Sequence, residues 1–307
     1  MCYSAMIYAE VNALSRRLGV KIDPDWYVKT FWTEEGKNPQ RRPRSPRSME
    51  LDVLANGPPA AAAGVRAADI EEVSKLEQEI FKQRRRVADA ERSLQAKDTK
   101  KAREDVRIGT SKVEQVMARL DELKKPTSST GLGRIYPGYF CPVVVMENGQ
   151  RVVRPMRYQC RLPGWTEVIE RKFPGTYNAR RDNLEKSWGK VFGYSHGVIL
   201  ATAFYEHVEQ DGKDTILEFK PQDGRDMVAA CLWTHTTDHA GNELLSFAAI
   251  TDDPPEEVLA AGHDRCIIPI KDENIDAWLN PDPSNLSAQY AILDDRERPY
   301  YEHRMAA

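Results

Sequence analysis

Cysteine is sparse and unpaired in this chain of 307 residues. Cys2, Cys141, Cys160, Cys231 and Cys266 are odd in number, widely scattered and free of any C-x-x-C pair. That pattern argues against a disulfide framework and against a zinc site. His235 and His239 in HTTDH are four apart, but no glutamate follows the first and no third ligand is evident, so no metal is expected. A phosphate-binding G-x-x-x-x-G-K loop is absent, and no cofactor is expected. No apolar run approaches the roughly 20 residues of a membrane span, so membrane contact is not expected. The start, MCYSAMIYAEVNALSRRLG, has no charged lead, apolar stretch or cleavage site of a signal peptide. The expected location is cytoplasmic.

What is present describes a folded protein with a sizeable core: 41% hydrophobic and 30% charged residues, enough chain for one large domain or two small ones. Cys141, Cys160 and Cys231 sit in apolar or strand-like surroundings and read as core thiols. The net charge of −3 hides an asymmetry. Residues 151–190 hold ten Lys/Arg against four Asp/Glu, whereas residues 241–307 are acidic. A basic face of this kind suits local binding of a polyanion, and solvated surface charge reads equally well.

Along the chain, Ala5, Ile7, Val11, Leu14 and Leu18 predict a short amphipathic helix over 5–19, ended by Gly19. Residues 36–65 carry RRPRSPR and PPAAAAG and read as a flexible linker. Residues 66–125 contain no proline and one glycine, Gly109, and are dense in Ala, Glu, Lys, Arg and Gln. Ile70, Val73, Ile80, Val87 and Leu94 form one stripe, and Val106, Val113, Met117 and Leu120 another. The pattern predicts an antiparallel hairpin of two long helices, or one long coiled-coil helix. Such a stripe is usually a packing seam; it also offers a face to a protein partner or to self-association. From Gly131 onward the runs CPVVVM, QRVVRPM, SHGVILATAFY, TILEFK, DMVAACLW and LLSFAAIT are short and rich in β-branched or aromatic residues. They predict the strands of an antiparallel sheet or barrel. NIDAWLNP reads as a short helix stopped by Pro281. The expected organisation is therefore a compact α+β domain, mainly an antiparallel barrel with flanking short helices, from residues 1–35 and 131–290. A linker at 36–65 and a helical hairpin at 66–125 are inserted into it, and 291–307 follows as a tail.

Cys2 carries chemistry that an internal cysteine lacks. With Met1 removed, one residue bears an α-amine and a thiol. The amine condenses with an aldehyde to an imine, and the thiol then adds to close a thiazolidine ring. Their ordinary pKa values, about 8 and about 8.5, leave both with a reactive fraction near neutral pH.

Further along, Asn178 and Arg180 are two apart in FPGTYNARRDNL, Glu206 ends a predicted strand in ATAFYEHV, and His263 and Arg265 are two apart in AAGHDRCIIPI. With Met1-Cys2 and MRYQCRLPGW at 156–165, this set resembles the SRAP family (the SOS-response-associated peptidase fold). Its members react with abasic sites in single-stranded DNA. The family order is Met-Cys, an Arg-Trp-Gly strand leading to Pro-x-Trp, then Asn-Ala-Arg, Phe-Tyr-Glu-Trp and His-x-Arg-Met-Pro. The chain follows that order with departures. Tyr3-Ser4 stands where the family has Gly-Arg, which removes a phosphate-contacting arginine. His207 replaces a tryptophan, Cys266 replaces a methionine, and the 36–130 segment lies outside the pattern.

The resemblance implies Cys2 as nucleophile, amine first and thiol second. It implies proton transfer by Glu206 at the amine or carbinolamine and by His263 at the sugar ring oxygen. Asn178 would orient Cys2 by hydrogen bonds, Arg180 and Arg265 would contact phosphates flanking the lesion, and Trp165 would stack on bases. The implied activity is a covalent thiazolidine crosslink to abasic sites, with lyase and autoproteolytic activity also within the family's range. The implied partner is single-stranded DNA, with the chain nucleoid-associated when bound. Taken alone, each residue has a plainer reading: Glu206 as a surface residue at a strand end, His263 as a satisfied histidine, Asn178 as the cap of a helix beginning at Ala179, Trp165 as core packing. Two other functions stay open: a cysteine peptidase using Cys2, His263 and Asn178, and an interaction protein acting through 66–125.

Overall fold

The computed structural model describes residues 3–21, 44–125, 132–210, 212–237, 241 and 243–306. They divide between two compact units: residues 1–26, 43–52 and 130–307 form the first, and residues 27–42 and 53–129 the second.

The first unit is α+β and is organised by one long strand, β6 (His196–Gln210). Its first half pairs with β8 (Met227–Thr237), and its second half pairs with β7 (Lys213–Pro221). On its other edge it meets β3 (Phe140–Glu147) at Val198 and then β1 (Ser4–Tyr8) from Ala201 to Tyr205. β3 pairs with β4 (Gln150–Tyr158), β4 with β9 (Glu243–Asp252), and β9 with β8. The path β9–β4–β3–β6–β8 returns to β9, so five strands close into a barrel. Four of its pairings are antiparallel; β4 and β9 are parallel, over Arg157–Ser246 and Tyr158–Phe247. β2 (Leu132–Ile135) extends the sheet beyond β1.

Period-2 alternation explains the closure. Val143 and Val145 on β3, Met156 and Tyr158 on β4, Ile199 and Ala201 on β6 and Phe247 and Ala249 on β9 all point into one core. Cys141, Cys160 and Cys231 are buried, as expected of core thiols. Burial pushes the Cys160 thiol up to about 12 and the Cys141 and Cys231 thiols upward as well, so none is a nucleophile near neutral pH.

β4 leaves the barrel at Gln159, whose φ of 101° is unusual for a residue with a side chain. Arg157 holds that turn by donating Nε and Nη2 to the Gln159 carbonyl at 3.2 and 3.0 Å. The chain runs out through a short helix, α5 (Glu167–Lys172), and returns as β5 (Asn178–Arg180), parallel to β9 two residues further on.

Four expectations need correction. Residues 5–19 are not one helix. Ala5 and Ile7 alternate into the core on β1, and helix α1 (Val11–Leu18) begins only afterwards. The 36–65 linker is largely helical where it is described, although residues 22–43 lie outside the described residues. Helix α2 (Arg47–Asn56) includes Asp52, whose carboxylate accepts the Val11 N–H at 3.1 Å. PPAAAAG opens helix α3 (Pro59–Ala96), because proline fits the first helical position and alanine is the best helix former. Asn178 caps no helix; it begins a strand. Residues 291–307 are not a tail: helix α8 (Leu286–Asp294) continues into them, and β11 (Tyr301–Met305) pairs with β7. Tyr301 is 3% exposed and meets the ring of Phe204 edge-on at 5.1 Å. The short helix expected in NIDAWLNP is present as α7 (Ile275–Leu279), two residues before Pro281.

The second unit is a helical hairpin. Residues 97–99 turn α3 into α4 (Lys100–Lys124), and the Thr99 side chain caps α4 by accepting the Ala102 N–H at 3.2 Å. Arg86–Asp105 at 2.5 Å and Arg119–Glu72 at 2.8 Å cross between the helices. The two pairs lie fourteen residues apart on each helix in opposite senses, which sets an antiparallel register. Gly109 lets the helices approach: a Cβ there would lie 2.6 Å from Val87 Cγ2.

Candidate active site

β6 turns Phe204, Glu206 and Val208 toward the interior. Glu206 is 0% exposed. An isolated carboxylate at such a position costs several kcal/mol, so its neighbours decide whether it is tolerated. Its Oε2 lies 3.1 Å from His263 Nε2, and the two side chains are 0% and 7% exposed.

The positioning of His263 is local. Helix α6 (Glu256–Ala260) ends into Gly262, whose φ of 100° only glycine adopts easily. The chain thereby turns back, and the His263 N–H donates to the Val258 carbonyl at 3.2 Å. Three residues later Cys266–Ile267 (β10) pairs with β9 and fixes the far side of the loop. His263 Nδ1 lies 2.9 Å from the Arg265 carbonyl oxygen and 3.2 Å from the Arg265 N–H. A neutral ring protonated at Nε2 serves Glu206 and accepts from Arg265 N–H. An imidazolium serves Glu206 and donates to the Arg265 carbonyl. Both protonation states therefore have partners, which is what a proton-transferring imidazole needs. Burial lowers the His263 pKa, opposed by the Arg265 carbonyl, which favours the neutral ring.

Asn178 is buried at the start of β5, opposite Ala249, and its Oδ1 accepts from the Tyr158 hydroxyl at 3.4 Å. Tyr158, buried on β4, stacks on Phe247 at 5.2 Å and meets Tyr177 edge-on at 5.9 Å. Sequence reasoning missed Tyr158 as a site neighbour. The signal was only its place at the end of QRVVRPMRY, just before the chain leaves the barrel.

Arg180 and Arg265 come to one rim: Arg180 ends β5 opposite Thr251, and Arg265 immediately precedes β10, whose Ile267 is also paired with Thr251. Both are already paired. Arg180 donates to both oxygens of Asp182 at 3.0 and 2.6 Å, and Arg265 Nη1 reaches Asp253 Oδ1 at 2.6 Å. The hydrogen bond to Asp182 raises the Arg180 pKa, with further contributions from the charges of Asp264 and Asp253. A phosphate arriving here must displace exposed aspartates, which solvent makes inexpensive. Trp165 stands apart from these contacts; it is half-buried and packs on Phe173 at 5.6 Å across α5. Near it Glu170, 5% exposed, holds Arg157 and Arg161, the latter through Nε and Nη2 at 3.1 and 3.0 Å. Cys2 lies outside the described residues. Ser4, two residues on, opens β1 opposite Tyr205, the neighbour of Glu206. His235 Nε2 is 3.6 Å from Glu243 on the exposed end of β8, and His239 lies outside the described residues.

The family model for SOS response associated peptidase (SRAP) matches residues 94–305. The chain belongs to the SRAP family. A Bacillus subtilis relative, abasic site processing protein YobE, is 30% identical over 131 residues, covering 41% of this chain and 59% of YobE. The chain thus spans about three-fifths of that curated relative's length. Among solved structures, a Bordetella bronchiseptica protein matches at TM-score 0.48 and 20% identity, covering 57% of this chain and 87% of that one. A Bacteroides thetaiotaomicron protein matches at TM-score 0.48 and 15% identity, covering 57% and 78%. Within this SRAP chain, the residues that sequence reasoning placed together as proton carriers, Glu206 and His263, are in direct contact.

Proposed function

We propose that this chain recognises abasic sites in single-stranded DNA and, once Met1 is removed, bonds to them through Cys2 as a thiazolidine. The observation that carries the reading is the buried contact of Glu206, on the strand next to β1, with His263; β1 begins two residues after Cys2. The name of YobE, an abasic site processing protein, supports the same substrate.

The chemistry balances without a cofactor. The open sugar of an abasic site is an aldehyde. The Cys2 amine adds to its carbon, the carbinolamine loses water to give an imine, and the thiol adds across the C=N bond. Amine, thiol and aldehyde become a thiazolidine plus one water. The carbinolamine oxygen must gain a proton to depart, and the attacking nitrogen must lose one. A buried carboxylate and a neutral imidazole in contact can hold and return those protons. His263 also suits protonation of the sugar ring oxygen as the ring opens. Asn178, held by Tyr158, orients the amine or thiol. Arg180 and Arg265 exchange their aspartates for phosphates on either side of the lesion.

The test mixes Met1-processed protein with a single-stranded oligonucleotide bearing one abasic site and resolves the products on a denaturing gel. The expected result is a shifted band that is lost with Cys2→Ala and with an intact oligonucleotide. Absence of the band, with mass spectrometry showing Cys2 as the free N-terminus, overturns the reading. It would then favour the peptidase built on Cys2, His263 and Asn178, or a role through the helical hairpin.

A further inference from the structure

On the outer face of the three strands β2, β1 and β6 lies an arginine that the proposed reaction does not use. Arg134 on β2 is the cross-strand partner of Met6, and Ser4 is the cross-strand partner of Tyr205. Opposed residues share a face, and so do residues two apart along a strand. Arg134, Ser4 and Tyr205 are therefore neighbours on one surface. The contacts agree: Arg134 Nε donates to Ser4 Oγ at 3.1 Å, and its guanidinium carbon lies 3.7 Å from the centre of the Tyr205 ring and 5.1 Å from that of Tyr136.

The guanidinium is thus set in place but not neutralised. Arg180 and Arg265 each hold an aspartate. Arg134 has no carboxylate within ion-pair distance among the described residues, and its Nη2 is buried without a hydrogen-bond partner. Glu218, the acid that meets the Tyr205 ring on which Arg134 stacks, is occupied by the Tyr205 hydroxyl at 2.7 Å and by Arg304. A partly desolvated cation clamped between two rings, with spare donors in a planar fork, is suited to an anion that accepts two hydrogen bonds. The surroundings narrow the choice of anion. Tyr136 meets Tyr139 at 5.4 Å and Tyr3 edge-on at 6.0 Å, and Tyr3 meets His207 edge-on at 5.1 Å. Tyr3 is 38% exposed, and Tyr136 and Tyr139 are half-buried. Accessible aromatic faces interleaved with an unneutralised arginine form the pattern that binds single-stranded nucleic acid, phosphate on the cation and bases on the rings.

We propose that Arg134 is a phosphodiester-binding residue, and that with Tyr3, Tyr136 and Tyr139 it forms a nucleotide subsite beside the start of β1. Arg134 here is a positioning residue: it fixes the strand flanking the lesion and does not touch the reacting atoms. The inference rests on the reading that the chain acts on single-stranded DNA, and its test does not require the crosslink to form.

The measurement is fluorescence anisotropy of full-length protein with a labelled, intact single-stranded oligonucleotide across a salt series, for the natural chain and for Arg134→Gln and Arg134→Lys. Arg134→Gln is expected to weaken binding about tenfold at low salt and to flatten the log–log salt slope by about 0.7, one phosphate contact on a single strand. Arg134→Lys keeps the charge and is expected to keep the slope while losing part of the affinity. On an abasic oligonucleotide, Arg134→Gln should raise the DNA concentration giving half-maximal crosslinking and leave the saturating rate unchanged. An unaltered salt slope in a folded Arg134→Gln protein overturns the subsite. So does failure of the natural chain to bind single-stranded DNA. Binding without crosslinking leaves the Arg134 test fully readable and rejects only the covalent chemistry.

Discussion

Replacing Glu206 by glutamine keeps the shape of the side chain and removes its charge. At 3.1 Å and an effective dielectric constant of about 20, the carboxylate attracts an imidazolium at His263 by about 5 kcal/mol. Desolvation of a fully buried carboxylate returns several of those kcal/mol, so the pair contributes little net stability. In the proposed imine formation, however, protons move, and the attraction would act on the charged state that forms transiently. Losing it should slow single-turnover crosslinking by about 10²- to 10³-fold, or about 3–4 kcal/mol of barrier. The melting temperature should stay level or rise, because a neutral isostere replaces a buried charge. The assay is a time course of covalent product on denaturing gels under saturating DNA, paired with a thermal melt. A Glu206→Gln rate within about threefold of the natural chain, with Cys2 free, would refute the assignment of proton transfer to this pair.

The remaining expectations concern stability. His196 is buried, accepts the Gly193 N–H on Nε2 at 2.9 Å and meets the Trp278 carbonyl through Nδ1 at 3.1 Å. Burial drives its pKa down to about 3 from an ordinary 6.5, so the unfolded chain takes up the proton first. Stability present above pH 6.5 should fall by up to about 1.4 kcal/mol per unit as pH drops toward 3; denaturant melts of His196→Gln should show a shallower loss, and an equal one would contradict this. Gly109→Ala should lower hairpin stability by about 1 kcal/mol despite alanine's better helix propensity, since its Cβ meets Val87. Adding Val87→Ala should reverse the loss in a helical-signal melt, and a stabilised single variant would show that the helices spread freely. Glu170→Ala should cost about 3 kcal/mol, because it strands Arg157 and Arg161; a cost below about 1 kcal/mol in a denaturant titration would mean that solvent already screens them.

The strands of the barrel were legible because each apolar run is short, β-branched and bounded by turn residues. CPVVVM, ILATAF and LLSFAAI are strands where the pattern placed them. The errors arose where two signals overlap. Ala5 and Ile7, two apart, fell into register with Val11, Leu14 and Leu18 and read as one helical stripe. In PPAAAAG, composition reads as linker while position makes the proline a helix start. The last residues, RERPYYEHRM, have few apolar side chains; β11 is held by main-chain pairing to β7, which leaves little trace in composition. Glu206 and His263, 57 positions apart, had nothing local to join them, and only the family resemblance suggested a common site. Arg134 was illegible: a lone arginine in GLGRIYPG acquires meaning only when β1 and β6 bring Ser4 and Tyr205 beside it.

A closed ring whose strands alternate in direction must contain an even number of them. Five is odd, so one pairing has to run the wrong way, and no sequence change within the strands can remove that frustration. In this chain the mismatch falls between β4 and β9, where only two residue pairs are matched before the lane is vacated at Gln159. The vacancy is filled by a returning segment, Asn178–Arg180, in the same lane. The parity of the ring thus opens a doorway in an otherwise continuous wall, and the mostly exposed stretch around residues 163–168 of the excursion is the part that can change without disturbing the barrel's pairing, whereas Cys160, Arg161 and Glu170 are tied to it. Sequence variation should therefore concentrate in that exposed stretch, while Glu206, on the long strand across the ring, stays fixed.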